Sequence, residues 1–537
     1  MPPTKFFDQV QSPAQLAVFV MTHLQTNSND KPETLCARAA QHSQRIALIA
    51  ENKSTSYAEL IKLSSIVAQQ LLSILNTEDL GESRVAYLVP PGLDHVVIQW
   101  GIWKAGGVAV PLAVSHPPAE LSHTLEDSDP SFVIVNSLYE EKIQEATDGD
   151  LLVIDSSELV DGNFNLDPNN PELPSINPER RAMMIYTSGT TGKPKGAVVT
   201  HAILVAQITS LAEAWGWEKN DQIILVLPLH HIHGIVNVLC CALWTGASCQ
   251  ILPNFDPVDT WNRLSKGDLT LFMAVPTIYM LLIKTWESAK PRNRSRWSQG
   301  ASTLRLMVSG SAALPKTALE RWKTITGQVL LERYGMTEIG MALSNPLHGE
   351  RRPGYVGTPL PRVRVRRVDE NGEELGHSTQ EGELEVAGPN VFLEYWRNPK
   401  MTEDSFRNGW FRTGDMATVD KGDYRLLGRT SVDIIKTGGF KVSALEIEEV
   451  LRQHQLVSDC AVVGIPDEDW GELVAVAIVK ESSGEIELNN MITWAKKYLA
   501  SYKTPREFRF VTKLPRNAMG KIQKEQVKLL FLDSSET

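Results

Sequence analysis

The chain has 537 residues, of which 42% are hydrophobic, a size and composition typical of a globular protein with more than one domain. Its 64 acidic residues outnumber the 53 basic ones, and the formal net charge of −11 argues against general binding to nucleic acid or to an anionic membrane surface. The five cysteines form no C-x-x-C pair and favour reduced thiols, while no window holds the ~18 apolar residues that a membrane span needs.

The first residues do not have the pattern of a targeting peptide. Lys5 is followed by Asp8 and then by a short apolar run, Leu16 to Met21, without a small-residue cleavage pattern. This segment is typical of an amphipathic helix. We therefore expect a cytoplasmic protein.

Alternating strands and helices are predicted for the first half of the chain. Apolar runs predict the strands Val85–Val89, Val108–Leu112, Phe132–Val135, Leu151–Ile154, Met183–Tyr186 and Ile223–Leu227. A helix at Asp94–Ala105 separates the first two, and another helix follows Thr200, whose hydroxyl is suited to capping it. This succession predicts an α/β fold with parallel, doubly wound sheets.

The pattern changes after Gly428 and predicts a second, smaller domain. Its expected elements are a helix at Ala444–Arg452, strands at Cys460–Ile465 and Val474–Val479, a helix near Leu488–Leu499 and a strand at Phe508–Val511. We therefore divide the chain into a large body of residues 1–428, a hinge at 429–434 and an α+β domain of residues 435–537.

The run Tyr186–Gly196, Y-T-S-G-T-T-G-K-P-K-G, predicts a phosphate-binding loop. Its glycines let backbone N–H groups approach an anion closely, its hydroxyls add donors, and Lys193 and Lys195 supply positive charge. The loop is not a Walker A motif, because only two residues separate Gly189 from Gly192. We expect it between a strand and a helix.

Four further segments complete a pattern. They are Y-G-M-T-E at Tyr334–Glu338, T-G-D at Thr413–Asp415, G-R-T-S-V-D-I-I-K-T-G-G at Gly428–Gly439 and P-R-N-A-M-G-K at Pro515–Lys521. Together with the glycine loop, they resemble the adenylate-forming superfamily of acyl-CoA synthetases, luciferases and peptide-synthetase adenylation domains. The resemblance runs from about Ala47 to Lys521. It implies a large N-terminal body, a small mobile C-terminal domain, and a ligase that uses ATP, Mg²⁺ and coenzyme A.

The resemblance also implies roles for individual residues. The ATP- and AMP-binding set is Thr187, Ser188, Gly189, Thr190, Thr191, Gly192, Lys195, Ser309, Gly310, Ser311, Glu332, Arg333, Tyr334, Gly335, Met336, Thr337, Asp415 and Arg429. Within it, Tyr334 stacks on adenine, Asp415 accepts the ribose hydroxyls and Thr337 binds the α-phosphate.

The implied catalytic residues are Lys521, Thr337 and Glu338, of which Glu338 is also the Mg²⁺ ligand. Lys521 reaches the α-phosphate in the first half-reaction and leaves when the small domain rotates. The rotation brings the CoA-binding residues Thr437, Gly438 and Gly439 to the site. Either Ser431, Val432 or Asp433 carries the torsion.

The acyl pocket implied by the resemblance contains His231, Ser309, Met336 and Arg351. His231 belongs to the run L-P-L-H-H-I-H-G, for which a metal site with Cys240 and Cys241 is the alternative interpretation. We favour the pocket, because no fourth ligand has recognisable spacing.

The segments around Tyr334 and Gly428 are similar to the malonyl-CoA synthetase branch, which implies a malonyl-CoA or methylmalonyl-CoA synthetase. That branch usually has Arg or Lys where Leu281 stands, and Lys284, Arg351 or Arg352 are the candidate replacements. The alternatives are a fatty acyl-CoA synthetase for an uncharged tail and a stand-alone adenylation enzyme that loads a carrier protein. The expected partners are a small carboxylic acid, ATP and CoA, with no nucleic acid, and the chain is expected to be a monomer or a weak homo-oligomer.

Overall fold

The computed structural model describes residues 33–147, 149, 151–160, 172–187, 194–376, 379–430, 432–437, 440–467, 470–481, 487–500, 502–517 and 520–532. In this part of the chain the strands form four sheets. None of the helices described is long and apolar enough to span a membrane.

The helices, in chain order, are α1 (Leu35–Ala39), α2 (Tyr57–Ile74), α3 (Leu93–Lys104), α4 (Pro118–Ser128), α5 (Glu140–Ala146), α6 (Ser156–Val160), α7 (His201–Ala214), α8 (Cys241–Thr245), α9 (Pro257–Leu264), α10 (Pro276–Ser288), α11 (Pro291–Ala301), α12 (Lys316–Thr326), α13 (Pro399–Asp404), α14 (Ala444–Leu451), α15 (Leu488–Ala495) and α16 (Lys524–Leu532). Short 3₁₀ turns lie at Ala40–His42 and Ser137–Tyr139, and a π-helix at His233–Cys240.

The strands, in chain order, are β1 (Ile46–Ala50), β2 (Lys53–Ser56), β3 (Arg84–Leu88), β4 (Val108–Pro111), β5 (Phe132–Val135), β6 (Val153–Asp155), β7 (Arg181–Thr187), β8 (Lys195–Thr200), β9 (Gln222–Leu225), β10 (Ser248–Ile251), β11 (Leu271–Ala274), β12 (Leu306–Ser309), β13 (Leu331–Met336), β14 (Gly340–Ser344), β15 (Thr358–Pro359), β16 (Arg364–Val368), β17 (Gly382–Ala387), β18 (Glu394–Tyr395), β19 (Phe406–Arg407), β20 (Trp410–Asp420), β21 (Asp423–Arg429), β22 (Ile434–Thr437), β23 (Phe440–Ser443), β24 (Val457–Asp467), β25 (Gly471–Lys480) and β26 (Glu507–Val511).

Two large sheets form the centre of the body. One has the order β15-β14-β13-β12-β11-β9-β10-β1-β2 and the other β18-β8-β7-β4-β3-β5-β6. Their central strands pair in parallel and are buried along their whole length, as in β5 and β11, because helices cover both faces. The predicted α/β fold with doubly wound sheets is confirmed, with antiparallel strands added at the edges.

The neighbourhood of the glycine loop differs from the prediction. The loop connects β7 to β8, which pair antiparallel, so it joins two strands and not a strand and a helix. The helix α7 begins only after β8, and Thr200 caps it by accepting a hydrogen bond from the Ile203 N–H at 3.1 Å. The short apolar run of β8 directly precedes the helix, which hid the strand from sequence analysis.

A third sheet, which the sequence analysis did not predict, is antiparallel and has the order β16-β17-β20-β19, with β21 also paired to β20. The hairpin of β20 and β21 ends directly before the expected hinge. Asp415 and Arg429 are paired residues across this hairpin. The third sheet therefore brings two of the predicted nucleotide-binding residues together.

The fourth sheet lies beyond the expected hinge and carries its own apolar core. Its order is β23-β22-β25-β24, with β26 added in parallel to β25. One cluster of buried apolar residues packs with α14 and α15, and a second cluster packs with α16. The core residues of this region are thus distinct from those of the large sheets.

A buried ion pair fixes α16 to this small domain. The Lys524 ammonium donates to the Glu448 carboxylate and, at 2.6 Å, to the Val462 carbonyl. Both side chains are almost completely buried. Burial acts to raise the pKa of Glu448, but the charges of Lys524 and Arg452 outweigh it, so the pKa lies below its usual value.

We expect Lys524→Met to lower the stability of the small domain by ~3–5 kcal/mol, because it leaves a buried carboxylate without its closest cation. Hydrogen exchange of the β24 and β25 amides in the full chain measures this loss. Lys528→Met on the same helix is the control, since the partner of Lys528 in an ion pair is the exposed Glu525. Equal exchange rates in the two variants contradict the prediction.

Candidate active site

Tyr334, Asp415 and Arg429 form a buried polar corner where the nine-stranded and antiparallel sheets meet. The Tyr334 hydroxyl donates to Asp415 Oδ2 at 2.6 Å, and Arg429 Nε donates to Asp415 Oδ1 at 3.1 Å. Tyr334 and Asp415 are each 8% exposed. A buried carboxylate with two donors can exchange them for the hydroxyls of a ligand, since an ionised acceptor has several lone pairs.

Lys521 lies beside this corner although it belongs to the small domain. Its side chain keeps solvent-accessible surface, yet the surrounding protein and the charge of Arg429 lower the pKa of its ammonium, while Asp415 and Asp433 oppose the shift. The preceding Gly520 has φ +74°, and a Cβ there would approach Thr277 Oγ1 at 2.8 Å, on the first turn of α10. Glycine therefore lets the Lys521 segment lie directly against the large body.

The two ends of the glycine loop lie within the described chain. Thr187 and Lys195 are paired residues of β7 and β8, and the Tyr186 hydroxyl donates to Asp127 at 2.6 Å. The residues expected to surround phosphate, Ser188–Gly192, lie outside the described residues. The structure therefore fixes where the loop begins and ends.

Glu338 is a buried carboxylate in the turn between β13 and β14. It is 5% exposed, and its Oε1 accepts a hydrogen bond from the Tyr395 hydroxyl at 2.8 Å. The pKa of Glu338 lies above its usual value, because burial raises it by more than the Tyr395 bond and the charges of Arg429 and Lys195 lower it. Thr337 beside it is half-buried. This carboxylate has no Lys or Arg within ion-pair distance among the described residues, which suits it to an added cation.

A second buried basic group lies in the described chain near Ser311, away from Asp415. Arg333 is 4% exposed, and its Nη2 lies 3.4 Å from Ser311 Oγ, which in turn lies 3.2 Å from His233 Nδ1. Ser311 has φ +73°, an uncommon value for a residue with a side chain. Gly310 leaves the space for the guanidinium, because a Cβ there would approach Arg333 Nε at 2.4 Å.

Arg333 has no carboxylate partner within ion-pair distance in the described part of the chain. Burial alone lowers the pKa of its guanidinium to about 9, so the group remains charged at neutral pH. Its Nε, with Ser309 Oγ and His233 Nε2, is buried without a hydrogen-bond partner among the described residues. A buried, unpaired cation beside unsatisfied polar groups is suited to an anionic ligand.

The histidine run continues this polar region. His230 and His231 have ring centroids 4.1 Å apart, and His116 lies 5.6 Å from His230. Burial lowers the pKa of His231 to about 4, with a further contribution from His116, so this imidazole is neutral at physiological pH. Within the described residues, no group of three or more His, Cys, Asp or Glu side chains is arranged to hold a metal ion.

The structure shows where two of the predicted residues lie. Arg333, predicted among the nucleotide ligands, contacts Ser311 of the same predicted set, since neighbouring residues of a strand point to opposite faces and Tyr334 takes the Asp415 side. Arg351, predicted in the acyl pocket, donates to the carbonyls of Val329, Pro346 and Leu347.

The other candidate replacements for a basic residue at Leu281 are also occupied or exposed. Arg352 pairs with Asp420 and Asp423, and Lys284 is exposed on α10. Leu281 itself is 48% exposed.

In the small domain, Thr437 is buried in β22, whereas Gly438 and Gly439 lie outside the described residues. The neighbouring Phe440 stacks on Tyr502 with centroids 4.3 Å apart and is 51% exposed. Sequence analysis considered His233 only within the alternative metal site and did not single out Tyr395. The alternating direction of side chains along β13 and the spacing of H-H-I-H-G were signals in the sequence that could have placed Arg333 and His233 together. No signal in the sequence indicated that Tyr395 contacts Glu338.

Glu332 lies one residue before Arg333 and is the buried acid of this strand. It is 6% exposed, and its Oε1 accepts a hydrogen bond from the Gly354 N–H at 3.0 Å. Burial raises the pKa of Glu332 to about 8, with a smaller increase from Glu449, while the Gly354 bond opposes the shift. Burial therefore favours the protonated form of this carboxyl in the folded protein.

Comparisons with known proteins find relatives over almost the whole chain. Residues 35–396 match the family model of the AMP-binding enzyme, and residues 446–521 match that of the AMP-binding enzyme C-terminal domain. The chain is 43% identical over 532 residues to the mitochondrial malonate–CoA ligase of Xenopus laevis, covering 92% of this chain and 91% of that protein. It is 43% identical over 519 residues to the corresponding ligase of Mus musculus, covering 91% and 89%. ATP-bound MatB from Rhodopseudomonas palustris has a TM-score of 0.84 at 32% identity, covering 93% of this chain and 99% of MatB.

The raised pKa of Glu332 predicts a pH-dependent stability. A carboxyl whose pKa is higher in the folded than in the unfolded state stabilises the fold below the unfolded value of 4.5, and this contribution is lost as the pH rises through about 8. We therefore expect the free energy of unfolding to fall between pH 5 and pH 8 by ~3 kcal/mol more in the wild type than in Glu332→Gln. Urea unfolding at the two pH values measures the difference. The exposed Glu320→Gln is the control, and parallel curves for wild type and Glu332→Gln contradict the prediction.

Proposed function

The chain belongs to the family of AMP-binding enzymes, and we propose that it is an AMP-forming ligase that joins malonate to coenzyme A with cleavage of ATP. Relatives at 43% identity over more than 90% of the chain are malonate–CoA ligases, which supports this substrate. The observation that carries the proposal is the buried Arg333 guanidinium without a carboxylate among the described residues.

Malonate differs from a simple fatty acid by its second carboxylate. In the proposed complex, Arg333 pairs with this second carboxylate, while Ser311 and His233 add hydrogen bonds. A guanidinium already desolvated by the fold gains a charge-assisted, bidentate partner when malonate binds. An acid with an uncharged tail leaves the same guanidinium unpaired, and this disfavours it.

The nucleotide occupies the polar corner at Asp415. The Asp415 carboxylate accepts the ribose hydroxyls, and Arg429 stays beside the same carboxylate. Tyr334 offers its ring to adenine. Lys521, which lies near Asp415 and Arg429, is then on the side of the α-phosphate, where a cation stabilises the charge of the transition state.

Glu338 is the residue that would hold Mg²⁺. Its buried carboxylate has a neutral phenol as partner and no Lys or Arg within ion-pair distance among the described residues, and a hard cation prefers such an oxygen ligand. When bound, Mg²⁺ neutralises charge on the phosphates of ATP. The other contributions to the two half-reactions come from side chains of the protein.

The first half-reaction forms malonyl-AMP. One carboxylate oxygen of malonate forms a bond to the α-phosphorus, and the bond from that phosphorus to the bridging oxygen breaks, so pyrophosphate leaves with the electron pair. Lys521 and Lys195 place positive charge around the reacting phosphates. His231 is neutral and therefore forms no ion pair with the anionic substrate.

The second half-reaction transfers the acyl group to coenzyme A. The thiolate sulfur bonds to the acyl carbon, the bond from this carbon to the AMP oxygen breaks, and AMP leaves with the electron pair. Lys521 has no role in this step. We therefore propose that the small domain rotates about residues 429–434 between the two half-reactions and so presents the surface around Thr437 and the exposed Phe440.

The proposal is tested by the purified chain with ATP, Mg²⁺ and CoA. We expect AMP release with malonate and, more slowly, methylmalonate, but little with acetate or octanoate. Lys521→Ala is expected to lower ATP–pyrophosphate exchange by ~10²–10³-fold, because it removes the cation at the α-phosphate. The same variant should still form thioester from supplied malonyl-AMP.

Lys528→Ala on α16 is the matched control, since that lysine forms its ion pair with Glu525, on the same helix. Turnover of octanoate with malonate inert contradicts the dicarboxylate substrate. Equal loss of both half-reactions in Lys521→Ala contradicts the role given to Lys521.

The role of Arg333 is tested separately. We expect Arg333→Met to lower kcat/KM for malonate by ~10²-fold, because the second carboxylate loses a buried charged partner. The value for acetate should stay equal or rise, so the malonate-to-acetate ratio of kcat/KM is the measurement. Arg351→Met is the matched control, since that arginine donates to three backbone carbonyls, and an equal fall for both acids in Arg333→Met contradicts the assignment.

A further inference from the structure

A short segment contacts Glu338 in two places. The Phe392 N–H donates to the Glu338 carbonyl at 2.7 Å, and the Tyr395 hydroxyl donates to Glu338 Oε1 at 2.8 Å. The backbone and the carboxylate of the same residue are thus fixed by residues 392–395. Among the described residues, no other side chain is hydrogen-bonded to this carboxylate.

The same segment is attached to the strand that follows the glycine loop. Tyr395 belongs to β18, which pairs antiparallel with β8, and the Trp396 N–H donates to the Gly196 carbonyl at 2.8 Å. Lys195, the first residue of β8, has its ammonium 5.7 Å from the centroid of the Tyr395 ring. Tyr395 therefore contacts both the carboxylate of Glu338 and the lysine of the loop.

Packing leaves the Tyr395 ring little freedom. The residue is 7% exposed, and its ring lies 4.7 Å from that of Phe392, which also contacts Phe411. Its backbone N–H donates to Thr402 Oγ1 at 3.0 Å. A side chain fixed in this way can set the direction of the group to which it is bonded.

We infer that Tyr395 is a positioning residue that aims the Glu338 carboxylate at metal-bound ATP and sets its spacing from Lys195. This role rests on the proposed function. The phenol binds one lone pair of Oε1 with a neutral donor, so this partner does not neutralise the carboxylate but restricts its rotation. An arginine or lysine at that place would compete with the metal for the charge.

The variant Tyr395→Phe removes only the hydroxyl and keeps the ring beside Lys195 and Phe392. We expect it to weaken calorimetrically measured binding of ATP in the presence of Mg²⁺ by ~10-fold, because a hydrogen bond to a charged group is lost. Binding of ATP in the presence of EDTA is expected to remain unchanged. The Mg²⁺ concentration for half-maximal ATP–pyrophosphate exchange should rise by a similar factor.

Tyr424→Phe is the matched control, because that hydroxyl lies 3.5 Å from the Val365 carbonyl and has no contact with Glu338. A Glu338→Gln background supplies the second test, in which Tyr395→Phe is expected to have no further effect on ATP binding with Mg²⁺. Equal weakening with Mg²⁺ and with EDTA, or an undiminished effect in the Glu338→Gln background, overturns the inference.

These measurements need no carboxylic acid, so a wrong acid leaves their result unaffected. An absence of ATP binding by the wild-type chain overturns the proposed function and this inference together. Normal ATP binding without turnover of malonate overturns only the substrate.

Discussion

The carboxylate of Asp415 is the constraint on which the arrangement of the active site depends. It is bonded to Tyr334 from the nine-stranded sheet and to Arg429 from the end of the antiparallel sheet. The chain enters the expected hinge directly after Arg429, and Lys521 returns from the small domain to the same pair of charges. A buried carboxylate requires such partners, because an unpaired charge in this position would destabilise the fold by several kcal/mol.

The chemistry of the corner was largely predictable from the sequence, because it depends on residue types that few other roles require. Asp415 and Arg429 are predicted ligands of the nucleotide, and the structure shows that they lie together. They face each other across the hairpin of β20 and β21. The two large sheets were predictable for a related reason, since fully buried parallel strands such as β5 consist of apolar residues in an uninterrupted run.

The acyl end of the site was not predictable to the same degree, because it depends on side-chain direction and close packing. Arg333 reaches Ser311 only because β13 turns it away from the Tyr334 face and because Gly310 has no side chain in its path. Arg351 was a reasonable candidate by charge, yet nearby carbonyl groups bind its guanidinium. Tyr395 was missed for a third reason, since it follows Glu338 by 57 positions in the sequence and only the folded sheets bring the two residues together.

In the proposed function, the cost of burying Arg333 without a carboxylate gives the site its selectivity. An arginine taken out of water and left unpaired destabilises the free protein, and only a ligand with an anionic group at that position offsets the cost. Acetate or an alkyl chain fills space but leaves the guanidinium unsatisfied, so discrimination arises from a penalty against the wrong acid as much as from attraction for malonate. In the proposed function the other carboxylate of the substrate is activated at the α-phosphate beside Lys521, so an acid with carboxylates at both ends has a cationic partner for each of them.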